Sequence, residues 1–74
     1  MNFGEILNEM ILDNKNGGKL FARRSCWDKA EYIMICDDFL HVREAFLVLC
    51  NDAGFVVPFV PSQGDLLGVD WCWI

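Results

Sequence analysis

An α+β fold is predicted for this 74-residue chain: a small, mostly antiparallel sheet with an N-terminal amphipathic helix and a short C-terminal helical turn. Three observations carry it. Apolar residues recur at helical spacing near the N-terminus, and two apolar, β-branched runs flank a four-residue turn after position 50. Finally, Pro58 to Ile74 joins a strand to a capped helical turn and then to a Trp-bearing strand.

Taking the elements in order, Asn2 is a good N-cap with Glu5 three residues on, and Phe3, Ile6, Leu7, Met10 and Ile11 share one helical face. Residues 3 to 12 are expected to be a short helix, ended by the Asp13-Asn14-Lys15-Asn16-Gly17-Gly18 segment. Lys19 to Ser25 is the expected first strand. Leu20, Ala22 and Arg24 lie on one face of it and Lys19, Phe21 and Arg23 on the other, so the two arginines point in opposite directions. A turn near Trp27-Asp28-Lys29 leads to a second strand, Glu31 to Cys36, and Asp37 to Val42 is either a polar connection or one helical turn. Ala45 to Cys50 and Phe55 to Val60 flank Asn51-Asp52-Ala53-Gly54, which has the turn chemistry of a β-hairpin. Their nearly continuous apolar runs imply burial on two faces, by the helix on one side and another subunit on the other. Pro58 marks an edge or a break in pairing. The Ser62 hydroxyl can accept from the N–H three residues on while Asp65 answers the Ser62 N–H, and Gly68 stops this helical turn before a last strand, Val69 to Trp73.

Composition bounds the partners. At 54% hydrophobic, with three Trp and six Phe, the chain is greasier than the roughly 45–50% of ordinary domains. A chain this short buries only about 60% of its unfolded surface. The surplus apolar surface predicts a homo-oligomer. No uncharged apolar stretch approaches the about 18 residues of a membrane span, and Glu5, Asn8 and Glu9 interrupt anything resembling a signal peptide. Cys26, Cys36, Cys50 and Cys72 are too scattered for a stapled scaffold or a zinc site and are expected as buried free thiols in a cytosolic protein. A net charge of −5 argues against binding polymeric DNA or RNA. Yet five of the six basic residues lie between positions 15 and 29, a local cationic region suited to a compact anion such as a pyrophosphate, or else a solvated strand face balancing nearby acids.

Catalysis finds no motif. The sole histidine, His41, has no partner in sequence, Ser62 is better explained as a cap, Asp37-Asp38 reads as a solvated pair, and Asn16-Gly17-Gly18 lacks the phosphate-loop pattern. No enzyme and no cofactor are expected. A nucleotide-like ligand needs an aromatic face, a cation for phosphate, and a carboxylate or amide for hydroxyls and base edges, and all three are present. Trp27 can stack on a purine, or be a core Trp; Arg23 and Arg24 can grip phosphate, or form surface ion pairs. Asp65 can accept from ribose, although capping explains it alone, and Asn51 can read a base edge, although a hairpin Asn usually serves its own backbone.

The closing run Ser62-Gln63-Gly64-Asp65-Leu66-Leu67-Gly68-Val69-Asp70-Trp71 resembles the Ser-Gln-x-Asp-Leu-Leu-Ala-x-Asp-Trp signature of phage domains of the Thoeris anti-defence 2 (Tad2) family. The opening Met1-Asn2-Phe3-Gly4-Glu5 and the Arg24-Ser25-Cys26-Trp27 segment, similar to the family's Arg-x-x-Trp element, extend the likeness over most of the chain. Asp37 to Arg43 aligns with nothing, and Gly68 stands where the signature has Ala. The resemblance implies a homotetrameric sponge that sequesters glycocyclic ADP-ribose, a signal made by a bacterial TIR enzyme, in pockets at subunit interfaces, without turnover, in the cytoplasm of the infected host. It also allows a separate site for the cyclic dinucleotides of CBASS defence. Carried onto matching positions, it makes Phe3, Arg24, Trp27, Ser62, Gln63, Asp65 and Trp71 candidates, with Trp27 and Asp65 first. The alternative is a protein-interaction module that docks on a host protein.

Overall fold

A computed structural model of the chain describes residues 1–37 and 45–74. Its elements are α1 (Phe3–Lys15), β1 (Ala22–Arg24), β2 (Tyr32–Cys36), β3 (Phe46–Cys50), β4 (Val56–Pro58), α2 (Gln63–Leu67) and β5 (Trp71–Trp73). The five strands form one antiparallel sheet in the order β4-β3-β2-β1-β5, so the C-terminal strand returns to pair with the first. The α+β class stands.

Helix α1 begins with the expected capping box: the Asn2 side chain accepts from the Glu5 N–H at 2.8 Å and Glu5 accepts from the Asn2 N–H at 3.0 Å. It runs one turn beyond the expected residue 12, to Lys15, because the conformations that stop it come later: Asn16 is the C-cap and Gly17 carries the positive φ of +81°. Phe3, Ile6 and Met10 are the buried face, packed on Ala22, Ile33, Ile35 and Trp71. Of the period-3.6 stripe read from sequence, Phe3, Ile6 and Met10 face the core, Leu7 packs at its margin and Ile11 is exposed.

The hairpin of β3 and β4 pairs Val48 with Pro58, Leu49 with Val57 and Cys50 with Val56. In its turn the Asn51 side chain accepts from the N–H groups of Ala53 and Phe55, and Gly54 supplies a φ of +85°. The two-sided burial expected for its second strand is not found among the described residues of the chain. Strand β4 is exposed at all three residues, and Phe55 is 65% exposed. The cause is position: β4 is the outermost strand of the sheet, where a Pro without an N–H is tolerated.

The thiols also depart from expectation. Cys50 is buried, Cys36 is partly covered, and Cys26 and Cys72 are exposed, one in the β1–β2 turn and the other on the outward side of β5. The choice for residues 38 to 42, along with His41 and Asp38, lies outside the described residues.

Candidate functional site

Both arginines leave β1 as the alternation of a strand requires, in opposite directions, and they meet different surroundings. Arg24 turns toward α2 and β5. Its Nη1 donates to Asp65 Oδ1 at 3.2 Å and its Nε to Asp70 Oδ1 at 2.9 Å. Asp70 also accepts from the Ser25 hydroxyl at 2.9 Å, and the Ser25 N–H donates to the Asp70 carbonyl at 3.1 Å, which fixes the end of β1 to the start of β5.

Asp65 has two tasks. As the third residue of α2 it accepts from the Ser62 N–H at 3.0 Å while the Ser62 hydroxyl accepts from the Asp65 N–H at 3.1 Å, the capping box read from sequence. Its other oxygen holds Arg24. Beneath it, the indole N–H of Trp71 donates to the Asp65 carbonyl at 2.9 Å, so the largest fully buried side chain has its single donor satisfied.

The electrostatics follow. The hydrogen bond from Arg24 holds the Asp70 carboxyl down at about 2, with the Ser25 hydroxyl adding to it. Burial pushes the Asp65 carboxyl up, but hydrogen bonds from Ser62 and Arg24 outweigh it and the net shift is downward. Hydrogen bonds to Asp70 and Asp65 in turn raise the Arg24 guanidinium. At neutral pH this corner holds one cation and two carboxylates that accept hydrogen bonds without donating any.

An aromatic cluster adjoins the ion pairs. Trp27 lies edge-on to Trp71, with ring centroids 5.1 Å apart, and to Phe59 at 5.7 Å; Phe3 stands 5.2 Å from Trp71 and 6.1 Å from Phe59. Such tilted and edge-to-face pairs are the favoured geometry, worth about 0.5–1.5 kcal/mol each beyond area burial. Trp27 is half-buried, packed against the core yet reaching the surface at the end of β1.

Of the nine candidate residues, Phe3, Arg24, Trp27, Ser62, Asp65 and Trp71 come together at this corner, and Gln63 is exposed on the first turn of α2 beside it. Arg23 lies on the other face of β1, where its Nη1 donates to the Lys29 carbonyl at 2.8 Å. Asn51 is in the hairpin turn, occupied with backbone N–H groups. Two contributors escaped the sequence reading. Phe59 completes the aromatic wall, and Asp70 supplies the shorter of the two Arg24 ion pairs; the signal for Asp70 was its place directly before the buried Trp in the closing motif.

A helix-backed, five-stranded antiparallel sheet whose first and last strands are clamped at an aromatic corner defines a small α+β protein held by its own closing motif. The chain belongs to the Tad2-like family: the model of the Thoeris anti-defense 2-like domain matches residues 1–74, its whole length. No curated protein matches it. Among the described residues no helix is long and apolar enough to cross a membrane.

Proposed function

We propose that this protein is a phage anti-defence sponge, which acts inside the infected bacterium by binding a cyclic ADP-ribose-type signal, glycocyclic ADP-ribose, and withholding it intact from the Thoeris effector. The observation that carries this reading is the match of the Thoeris anti-defense 2-like model across residues 1–74. The aromatic corner supports it: Trp27 offers a partly exposed ring edge-on to Trp71, whose indole N–H is bonded to the Asp65 carbonyl, an aromatic face suited to a base.

A sponge must bind tightly. Silencing a submicromolar signal takes about −9 to −12 kcal/mol, and a shallow wall on one small chain does not enclose enough ligand for that. We therefore place the pocket at a seam between copies in a homotetramer. Exposed apolar residues support association: Val60, Leu67 and Val69 are 83%, 77% and 76% exposed. A separate site for a cyclic dinucleotide fits the same reading.

The test is capture and release. Protein mixed with glycocyclic ADP-ribose, filtered and then denatured is expected to return the nucleotide unchanged, and a hydrolysed product would make the protein an enzyme. Trp27→Ala is expected to weaken capture; wild-type affinity in a folded Trp27→Ala protein would move the site elsewhere. The same exposed apolar residues also suit a module that docks on a host protein. That reading predicts no nucleotide capture and co-purification with a host partner.

A further inference from the structure

The Arg24-Ser25-Cys26-Trp27 segment is a β-turn that leaves the end of β1, closed by the Trp27 N–H donating to the Arg24 carbonyl at 3.1 Å. A single closing bond fixes the turn but not its aim. Where the indole at the fourth position stands depends on how the first two residues are anchored to the rest of the fold.

Asp70 anchors them three times. Its Oδ1 accepts from Arg24 Nε at 2.9 Å, its Oδ2 from the Ser25 hydroxyl at 2.9 Å, and its backbone carbonyl from the Ser25 N–H at 3.1 Å. All three bonds land on the opening half of the turn. The carboxylate has little room to shift, since a Cβ on Gly68 would lie 3.0 Å from Oδ1. The next residue, Trp71, opens β5 and carries the buried ring that Trp27 meets edge-on at 5.1 Å. Asp70 thus joins the backbone that carries Trp27 to the backbone that carries its aromatic neighbour. Ring contacts with Trp71 and Phe59 are the weaker restraint, because hydrogen bonds to an ionised carboxylate are stronger and more directional.

We propose that Asp70 is the positioning residue for Trp27: by holding the Arg24–Trp27 turn it sets the indole in the one place where a base stacks on it, and it touches no ligand itself. The stacked base rests on the sponge reading; the placement of the ring stands without it. Preorganisation of this kind has a defined consequence. When only a fraction of molecules hold the binding-competent arrangement, the apparent dissociation constant rises by the inverse of that fraction.

Two measurements on the full chain test it, with thermal melting used to verify that each variant is folded. In a Trp73→Phe background, quenching of the indole emission by acrylamide reads Trp27, because Trp71 is only 2% exposed. Asp70→Ala is expected to raise that quenching, and unchanged quenching in the folded variant would overturn the proposal whatever the protein binds. Calorimetric titration with glycocyclic ADP-ribose is the second measurement. Asp70→Ala is expected to bind about tenfold more weakly than wild type, which corresponds to a competent fraction of about one tenth. Wild-type affinity in the folded variant would overturn the proposal and leave the sponge standing. No binding by wild type would remove the sponge reading, and quenching alone would then decide the placement of the ring. Should Asp70→Ala fail to fold, Ser25→Ala decides, since it removes one of the three bonds from an exposed residue and spares both Arg24 ion pairs. Raised quenching with weaker capture supports the proposal, and wild-type values of both overturn it.

Discussion

At the scale of single residues, the most consequential group is Asp70. Its carboxyl is held at about 2, against 3.8 when unperturbed, chiefly by the Arg24 hydrogen bond. A folded-state pKa below the unfolded one means stability that is fully present above pH 3.8 and is lost as pH falls from there toward 2. Denaturant unfolding across that window is expected to show wild type losing stability steeply and Asp70→Asn losing less, from a lower starting point at neutral pH. Identical pH slopes would mean the ion pair contributes nothing to folding. The residue types at this corner were legible in the sequence: Arg24, Asp65, Trp27 and Trp71 were all singled out, and the opposite directions of Arg23 and Arg24 followed from strand alternation. What was not legible was that Arg24 and Asp65, forty-one positions apart in the chain, satisfy each other. Pattern along a sequence reports which groups are present, whereas their pairing depends on β5 returning to β1.

At the scale of elements, local chemistry specified both helix starts. Asn2 with Glu5 and Ser62 with Asp65 form the reciprocal boxes that the spacing required. Because α2 has only five residues, its cap is a large share of what holds it. Ser62→Ala is expected to cost about 1 kcal/mol, read as a lower denaturant midpoint with unchanged slope. No shift in midpoint would show that the Arg24 clamp alone holds the turn. In α1 the buried stripe centres on Ile6, which is fully buried; Ile6→Ala is expected to cost about 2–5 kcal/mol by the same measurement, through lost transfer energy and the cavity left behind. A loss below that range would mean the helix repacks. The elements misjudged from sequence are those whose surroundings lie far along the chain. Phe55 to Val60 has the composition of a buried strand, yet on this edge strand Phe55, Val56, Val57 and Pro58 are exposed and only Phe59 reaches the core. Cys72 sits among apolar neighbours in sequence, but on the exposed side of a pleat, and Cys26 falls in a turn.

For the whole molecule, the core lies between α1 and one face of the sheet, while apolar side chains around α2 and β4 remain in water. Light scattering on the purified protein is expected to give a closed assembly of about four times the 8.5 kDa chain, the number that the likeness to Tad2 proteins implies. A stable monomer in dilute solution would remove the seams on which the proposed pocket depends, and large open-ended particles would favour a structural assembly subunit. Strand edges limit how copies can meet. On either side of β4, Phe55 accepts from the Asn51 N–H and Phe59 donates to the Leu47 carbonyl, so Val56 and Pro58 turn their backbones outward, and Pro58 has no N–H to offer. At the other end, the Trp71 N–H and carbonyl are taken by Met1, at 3.0 and 3.1 Å. Pro58 thus removes one donor from one margin of the sheet, and Met1 occupies the Trp71 groups on the other. Hydrogen-bonded growth into a ribbon is discouraged at Pro58 and at Trp71, and the proposed assembly would then have to join its copies flank against flank, through greasy surface and not through shared backbone.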